Sequence, residues 1–357
     1  MYRLEIQKLR LSLQENIEDV DVCIKILKQA IKIADRNGDF EWGVELRYHL
    51  IQDERATSKC VESALAFAWI LDVCDRFPEQ FDLNDYLLAY EWLLCSSYSN
   101  TGFSLEQILS LANDLEQRLE ACGISKRGYY FTMAGFHHTL GDFEKGSEYI
   151  ALACIEPFTD EYVEAMEYDA RIDNLVLRKV FDEALVLVKT MEAKRLTSFS
   201  LPFETFCLMG YALARSNDSR AQLYLDKAKE AFEKLTEINS SMLYCLTRLL
   251  YTKFLLKDEG YLALFERIAT WMIGAEEDLQ YMMARHLALV FSEEGTLSLD
   301  LSSTLPFYAA EGVYDKRALA KYYDEIAVTL SAKFDVRNRN DYCSSLYEHL
   351  KQEVNHL

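Results

Sequence analysis

The chain has 357 residues, half of them apolar, and carries 38 Lys and Arg against 58 Asp and Glu, a formal net charge of −20. It holds only 4 Pro and 13 Gly, where average usage would give about 18 and about 25. That scarcity argues against a turn-rich all-β fold and against a disordered chain, and the acidic balance is the reverse of what a direct nucleic-acid binder carries.

In chain order, Met1 to Arg10 has no apolar core of the signal-peptide kind. The longest clean apolar stretch, Ala64 to Leu71, falls far short of a membrane span. A cytoplasmic chain with no membrane contact is therefore expected. The nine cysteines contain no C-x-x-C pair, so they are expected to be reduced thiols packed as small hydrophobes. Over Val20 to Arg36, the residues Val20, Cys23, Ile24, Leu27, Ala30, Ile31 and Ala34 recur at three and four, giving a helix with one dry face. Similar periodicity predicts helices near 39–55, 57–76, 83–99, 104–122, 125–140, 142–156, 159–178, 181–195, 203–215, 218–236, 240–257, 259–273, 275–292, 314–335 and 340–355. Pro78, Pro157, Pro202 and Pro306 fall where the periodicity breaks, as expected of a residue costing about 3 kcal/mol inside a helix. No strand pair is predicted; Leu297 to Leu301 alternates but stands alone.

The segments pair across tight turns. Gly38-Asp39-Phe40 returns as Gly141-Asp142-Phe143, Phe181 follows Phe143 by 38 positions, and Asn217-Asp218 marks the next turn. A period of 34 to about 40 residues is the signature of a helical solenoid, because one hairpin cannot bury its own apolar face and must stack on neighbours. Residues 125–157 resemble a tetratricopeptide repeat: Tyr130 early in the first helix, Met133 and Ala134 at the crossing, the Gly141-Asp142-Phe143 turn, Gly146 and Ala153 in the second helix, and Pro157 at the close. Met209-Gly210, Ala212, Ala221 and Ala228 keep the pattern with one deletion, while Arg171 and Ile172 depart from it. The resemblance covers about 125–236. It implies an all-α, right-handed α-solenoid of stacked antiparallel hairpins with 14 to 16 helices. The expected division is 1–124 for degenerate repeats, 125–273 for the central repeats and 274–357 for a C-terminal cap with an irregular loop at 292–308.

No phosphate loop, dinucleotide fingerprint or nucleophile elbow is present. His137 and His138 are adjacent and point about 100° apart on a helix, so they do not converge on a metal. A non-enzymatic chain without metal or cofactor is expected, one that binds a protein or peptide partner. Its candidate contacts are Lys25, Lys28, Lys32 and Arg36, spaced along one helix face; the resemblance places three of them in the concave groove, suited to a peptide carboxylate. Phe131 and His138 match groove-facing positions of the resembled repeat. Glu156, Asp160, Glu161, Glu164, Glu167, Asp169 and Asp173 crowd 18 residues with one Arg171, and their mutual repulsion makes Glu164 and Glu167 candidates for a basic partner. Two alternatives belong beside the adaptor reading: an intracellular peptide-signal receptor without a DNA-binding domain, and an acidic inhibitor covering a basic partner.

Overall fold

The computed structural model describes residues 1–17, 19–157 and 163–354. Seventeen α-helices make up almost all of its regular structure: α1 (Tyr2–Glu15), α2 (Val20–Arg36), α3 (Phe40–Arg55), α4 (Ser63–Arg76), α5 (Leu87–Ser99), α6 (Leu105–Cys122), α7 (Arg127–Thr139), α8 (Phe143–Ile155), α9 (Glu164–Leu177), α10 (Phe181–Lys194), α11 (Phe203–Arg215), α12 (Ala221–Phe232), α13 (Leu243–Leu255), α14 (Tyr261–Ile268), α15 (Glu277–Val290), α16 (Lys316–Asn338) and α17 (Tyr342–Val354). The helix α1 lies outside the predicted segments because it buries only Ile6 and Leu13 and leaves Leu4 and Leu11 exposed.

The repeated Gly-Asp turn has a local cause. Gly38 and Gly141 sit at φ +61° and +76°, a left-handed conformation open to glycine at little cost. The next residue then caps the following helix: Asp39 accepts from the Trp42 amide and Asp142 from the Lys145 amide, filling donors that a helix start leaves unmet.

Packing follows the sequence order. Each of α1, α2 and α3 packs on the next, and α7 with α8, α9 with α10, α11 with α12 and α13 with α14 make close pairs. One buried cluster runs from Ile6 to Phe136 and a second from Ala165 to Leu350, with Phe131, Ala134, Ile150 and Ala153 forming a small cluster of their own. Fully buried side chains such as Leu27, Leu46, Ile172, Leu246 and Leu287 each contribute about 1.5–3 kcal/mol through burial.

The row of helices closes on itself. Contacts run from α5 to α7, α9, α11, α13 and α15, and α15 touches α5 again. Hydrogen bonds between residues nearly 180 or more positions apart fasten the seam. The Ser58 hydroxyl donates to the Trp271 carbonyl at 2.8 Å, and the Glu276 amide donates to the Ser58 carbonyl at 2.8 Å. Ser96 donates to the Glu276 carboxylate, and the Thr101 hydroxyl donates to Glu277 at 2.6 Å. Arg337 on α16 donates to the Tyr98 carbonyl at 2.9 Å. Six helices therefore surround a lumen.

One expectation is corrected. The stretch 296–298 is a strand, β1 (Thr296–Ser298), paired antiparallel with β2 (Val313–Asp315) through Leu297 and Tyr314. The intervening loop buries Leu299, Leu301 and Leu305. The partner strand escaped prediction because it is three residues long and runs straight into α16. No helix among the described residues is long and apolar enough to cross a membrane. The nine cysteines are all free, five of them buried.

Candidate binding lumen

The lumen divides into two adjoining cavities. The first, of about 340 Å³, is lined by all six ring helices: Tyr98 from α5, Gly135 and His138 from α7, Asp173 from α9, Tyr211 and Arg215 from α11, Tyr244 and Arg248 from α13, and Asp278, Tyr281 and Arg285 from α15. Tyr342, Cys343 and Leu346 of α17 cover one side. The second, of about 450 Å³, shares Gly135, His138, Asp173, Tyr244 and Arg248 and adds Phe131, Met166, Asp169, Phe199 and Glu204. Both volumes fall within the range of small-ligand sites, about 300–1,000 Å³.

Three lumen helices repeat one pattern. Tyr211 and Arg215, Tyr244 and Arg248, and Tyr281 and Arg285 are Tyr-x-x-x-Arg pairs beginning 33 and 37 positions apart. A separation of four puts both members on one helical face, so each helix presents a phenol and a guanidinium to the same cavity. The guanidiniums lie against their own rings, at 5.1 Å for Arg215, 3.9 Å for Arg248 and 4.7 Å for Arg285.

Their counter-charges differ. Arg215 forms a two-pronged pair with Glu353 of α17, at 2.8 and 2.7 Å, which ties that helix to the ring. Arg248 reaches Asp173 at 3.2 Å with one nitrogen and donates to Tyr244, while its buried Nε has no partner among the described residues. Arg285 forms no ion pair among the described residues; the groups acting on it are the phenols of Tyr281, Tyr211 and Tyr342, and its buried Nε is also without a partner.

Beneath the arginines lies His286, fully buried. Its Nδ1 donates to the Met282 carbonyl at 2.6 Å, so Nε2 accepts from Tyr211 at 2.9 Å and the ring is neutral. Burial, followed by Arg285, holds its pKa well below the ordinary histidine value. In the second cavity the Asp169 carboxyl is pushed up to about 7, first by burial and then by Glu204 and Asp173, although it accepts a hydrogen bond from Thr205 at 2.5 Å. Burial raises Asp278 and Glu276 at the start of α15 as well.

The residues singled out in the sequence go to different places. His138 lines both cavities; its Nε2 accepts from the Asn174 amide at 3.0 Å, and its Nδ1 lies 3.7 Å from Asp173. Burial lowers its pKa against the pull of Asp173. Phe131 is buried and lines the second cavity. Lys28 pairs with Glu62 of the α3–α4 connection, and Lys25, Lys32 and Arg36 are exposed on α2; none of the four lines either cavity. Glu164 pairs with Lys194 on α10 at 2.5 Å. Glu167 is buried and paired with Arg127. Asp160 and Glu161 lie outside the described residues. No cluster of His, Cys, Asp and Glu among the described residues is arranged to hold a metal ion.

The Tyr-x-x-x-Arg ladder is absent from the sequence-derived candidates. Its signal is a pair repeated on every second helix from α11 to α15, visible when those helices are aligned rather than when charge is counted along one helix. Comparison with protein-family models, curated proteins and solved structures finds no match.

Proposed function

We propose that this chain is a non-catalytic, tetratricopeptide-like helical-repeat protein whose lumen holds a peptide. One observation carries the reading: a pair of joined cavities to which all six ring helices contribute, with aromatic and charged side chains directed inward. Aromatic and arginine side chains concentrate binding energy at interfaces. Phe199, 73 % exposed, and Tyr244, 41 % exposed, stand at the cavity walls as apolar surface that the fold itself leaves open. The residues brought together are mainly phenols, guanidiniums and hydrogen-bonded carboxylates, with His138 and Cys343 beside them.

The closed seam favours the second reading kept from the sequence, an intracellular receptor for a short peptide signal. A lumen of this size under α17 accommodates a few residues of extended chain more readily than a loop of a folded partner. The test is affinity purification with mass spectrometry of everything bound, peptides included, comparing the wild type with the Phe199→Asn/Tyr244→Ala double variant. Species recovered with the wild type and lost from an equally helical variant support the reading. Identical recovery from both contradicts it.

A further inference from the structure

The charges of the lumen are separated. At one end Arg285 lies against the Tyr281 ring in a cavity also lined by Tyr211 and Tyr342, and among the described residues it has no carboxylate partner; the buried Nε of Arg248, on the wall of the same cavity, is likewise unpartnered among them. A cation out of water without a counter-charge is costly, and an entering oxyanion would relieve that cost with charge-assisted hydrogen bonds. At the other end, Asp169 and Glu204 line the second cavity and form no ion pair among the described residues; their hydrogen bonds come from the neutral hydroxyls of Thr205 and Ser200. Asp173 and Arg248 pair with each other at the junction of the two cavities. Arg285 thus faces a space that continues to the carboxyls of Asp169 and Glu204, with the Asp278 carboxyl also on the wall of the first cavity. A cation entering beside Asp169 would favour its ionised form, which burial and its acidic neighbours otherwise hold back.

We infer that the lumen takes a short peptide with free ends, its C-terminal carboxylate on Arg285 and the Nε of Arg248, and its cationic group on Asp169 and Glu204. This rests on the reading of the lumen as a peptide site and adds the polarity of the occupant. A lone small anion would satisfy only the arginine end. An extended peptide satisfies both ends at once, which makes the two cavities one site.

The experiment is affinity selection with random hexapeptides, read by mass spectrometry, using three libraries: free ends, C-terminal amide and N-terminal acetyl. The wild type is expected to enrich free-ended peptides at least tenfold over amides. Arg285→Gln should bind free and amidated peptides equally, and Arg285→Lys should restore part of the preference, separating charge from packing. Asp169→Asn/Glu204→Gln should lose the preference for free over acetylated peptides or for internal Lys and Arg. Equal enrichment of free and amidated peptides by the wild type overturns the polarity and leaves the lumen a peptide site, as does a preference that survives in a folded Arg285→Gln chain. Failure of every library overturns both the polarity and the peptide reading.

Discussion

Glu167→Ala removes the carboxylate that faces Arg127, the most deeply buried Lys or Arg among the described residues. Arg127 is 1 % exposed. Its guanidinium donates to the Ala153 and Glu156 carbonyls at 3.0 and 2.7 Å, fixing the end of α8, and to Glu167, fixing α9. Removing one partner of a buried pair costs about 3–5 kcal/mol, because the remaining charge stays out of water. Loss of the half-exposed Arg171 contact, at 3.5 Å, adds less than about 1 kcal/mol. The double variant Arg127→Met/Glu167→Leu leaves no unpaired buried charge; it loses the donors to the two carbonyls and the weaker contacts with Arg171, Cys154 and Phe131, so it should be less destabilised than Glu167→Ala. Urea unfolding followed by far-ultraviolet circular dichroism gives both numbers. Site-resolved hydrogen exchange should accompany it, since a chain of this length need not unfold as one unit. A Glu167→Ala chain within about 1 kcal/mol of wild type would refute the buried-pair argument and return Glu167 to the exposed, partner-facing role expected from the acidic run.

Other outcomes follow from the same structure. His286 is held neutral with its pKa depressed, so its contribution is present above the unfolded value of about 6.5 and is lost as pH falls, at up to about 1.4 kcal/mol per pH unit; a pH series of urea midpoints should show this slope reduced in His286→Gln. Glu276 is the opposite case: burial raises its pKa, so stability is full below its unfolded value and falls as pH rises through the folded one. Glu276→Gln, which still accepts from Ser96 and Asn100, should therefore gain on wild type above neutrality by about 1.4 kcal/mol for each unit of the shift, and an equal pH profile for the two chains would refute it. Gly141→Ala places a methyl 2.5 Å from the Tyr342 ring at φ +76°, with a backbone cost of about 1–2 kcal/mol and loosening of α17; faster hydrogen exchange over 342–354 is the readout, and unchanged exchange there would contradict the packing of α17 on this turn.

The helices were legible because their apolar residues recur at three and four and their turns carry Gly-Asp. The hairpin β1–β2 was not, since three-residue strands have too few alternations to register. Closure of the ring was equally hidden: Ser58, Ser96, Glu276 and Arg337 are ordinary polar residues whose pairing spans nearly 180 to more than 230 positions. His138 and Phe131, singled out through the resemblance to a tetratricopeptide repeat, line the cavities. Lys25, Lys28, Lys32 and Arg36 stood out as a run within one helix, whereas the lumen arginines come one per helix and meet only after α11, α13 and α15 pack side by side.

The most direct measurement of the lumen as the working surface is hydrogen–deuterium exchange of the wild-type chain with and without the free-ended hexapeptides recovered by selection. The account predicts slowed exchange around 211–215, 244–248, 281–285 and 342–346, with α2 unchanged. Protection confined to the basic stripe from Lys25 to Arg36, with the lumen helices unaffected, would contradict it.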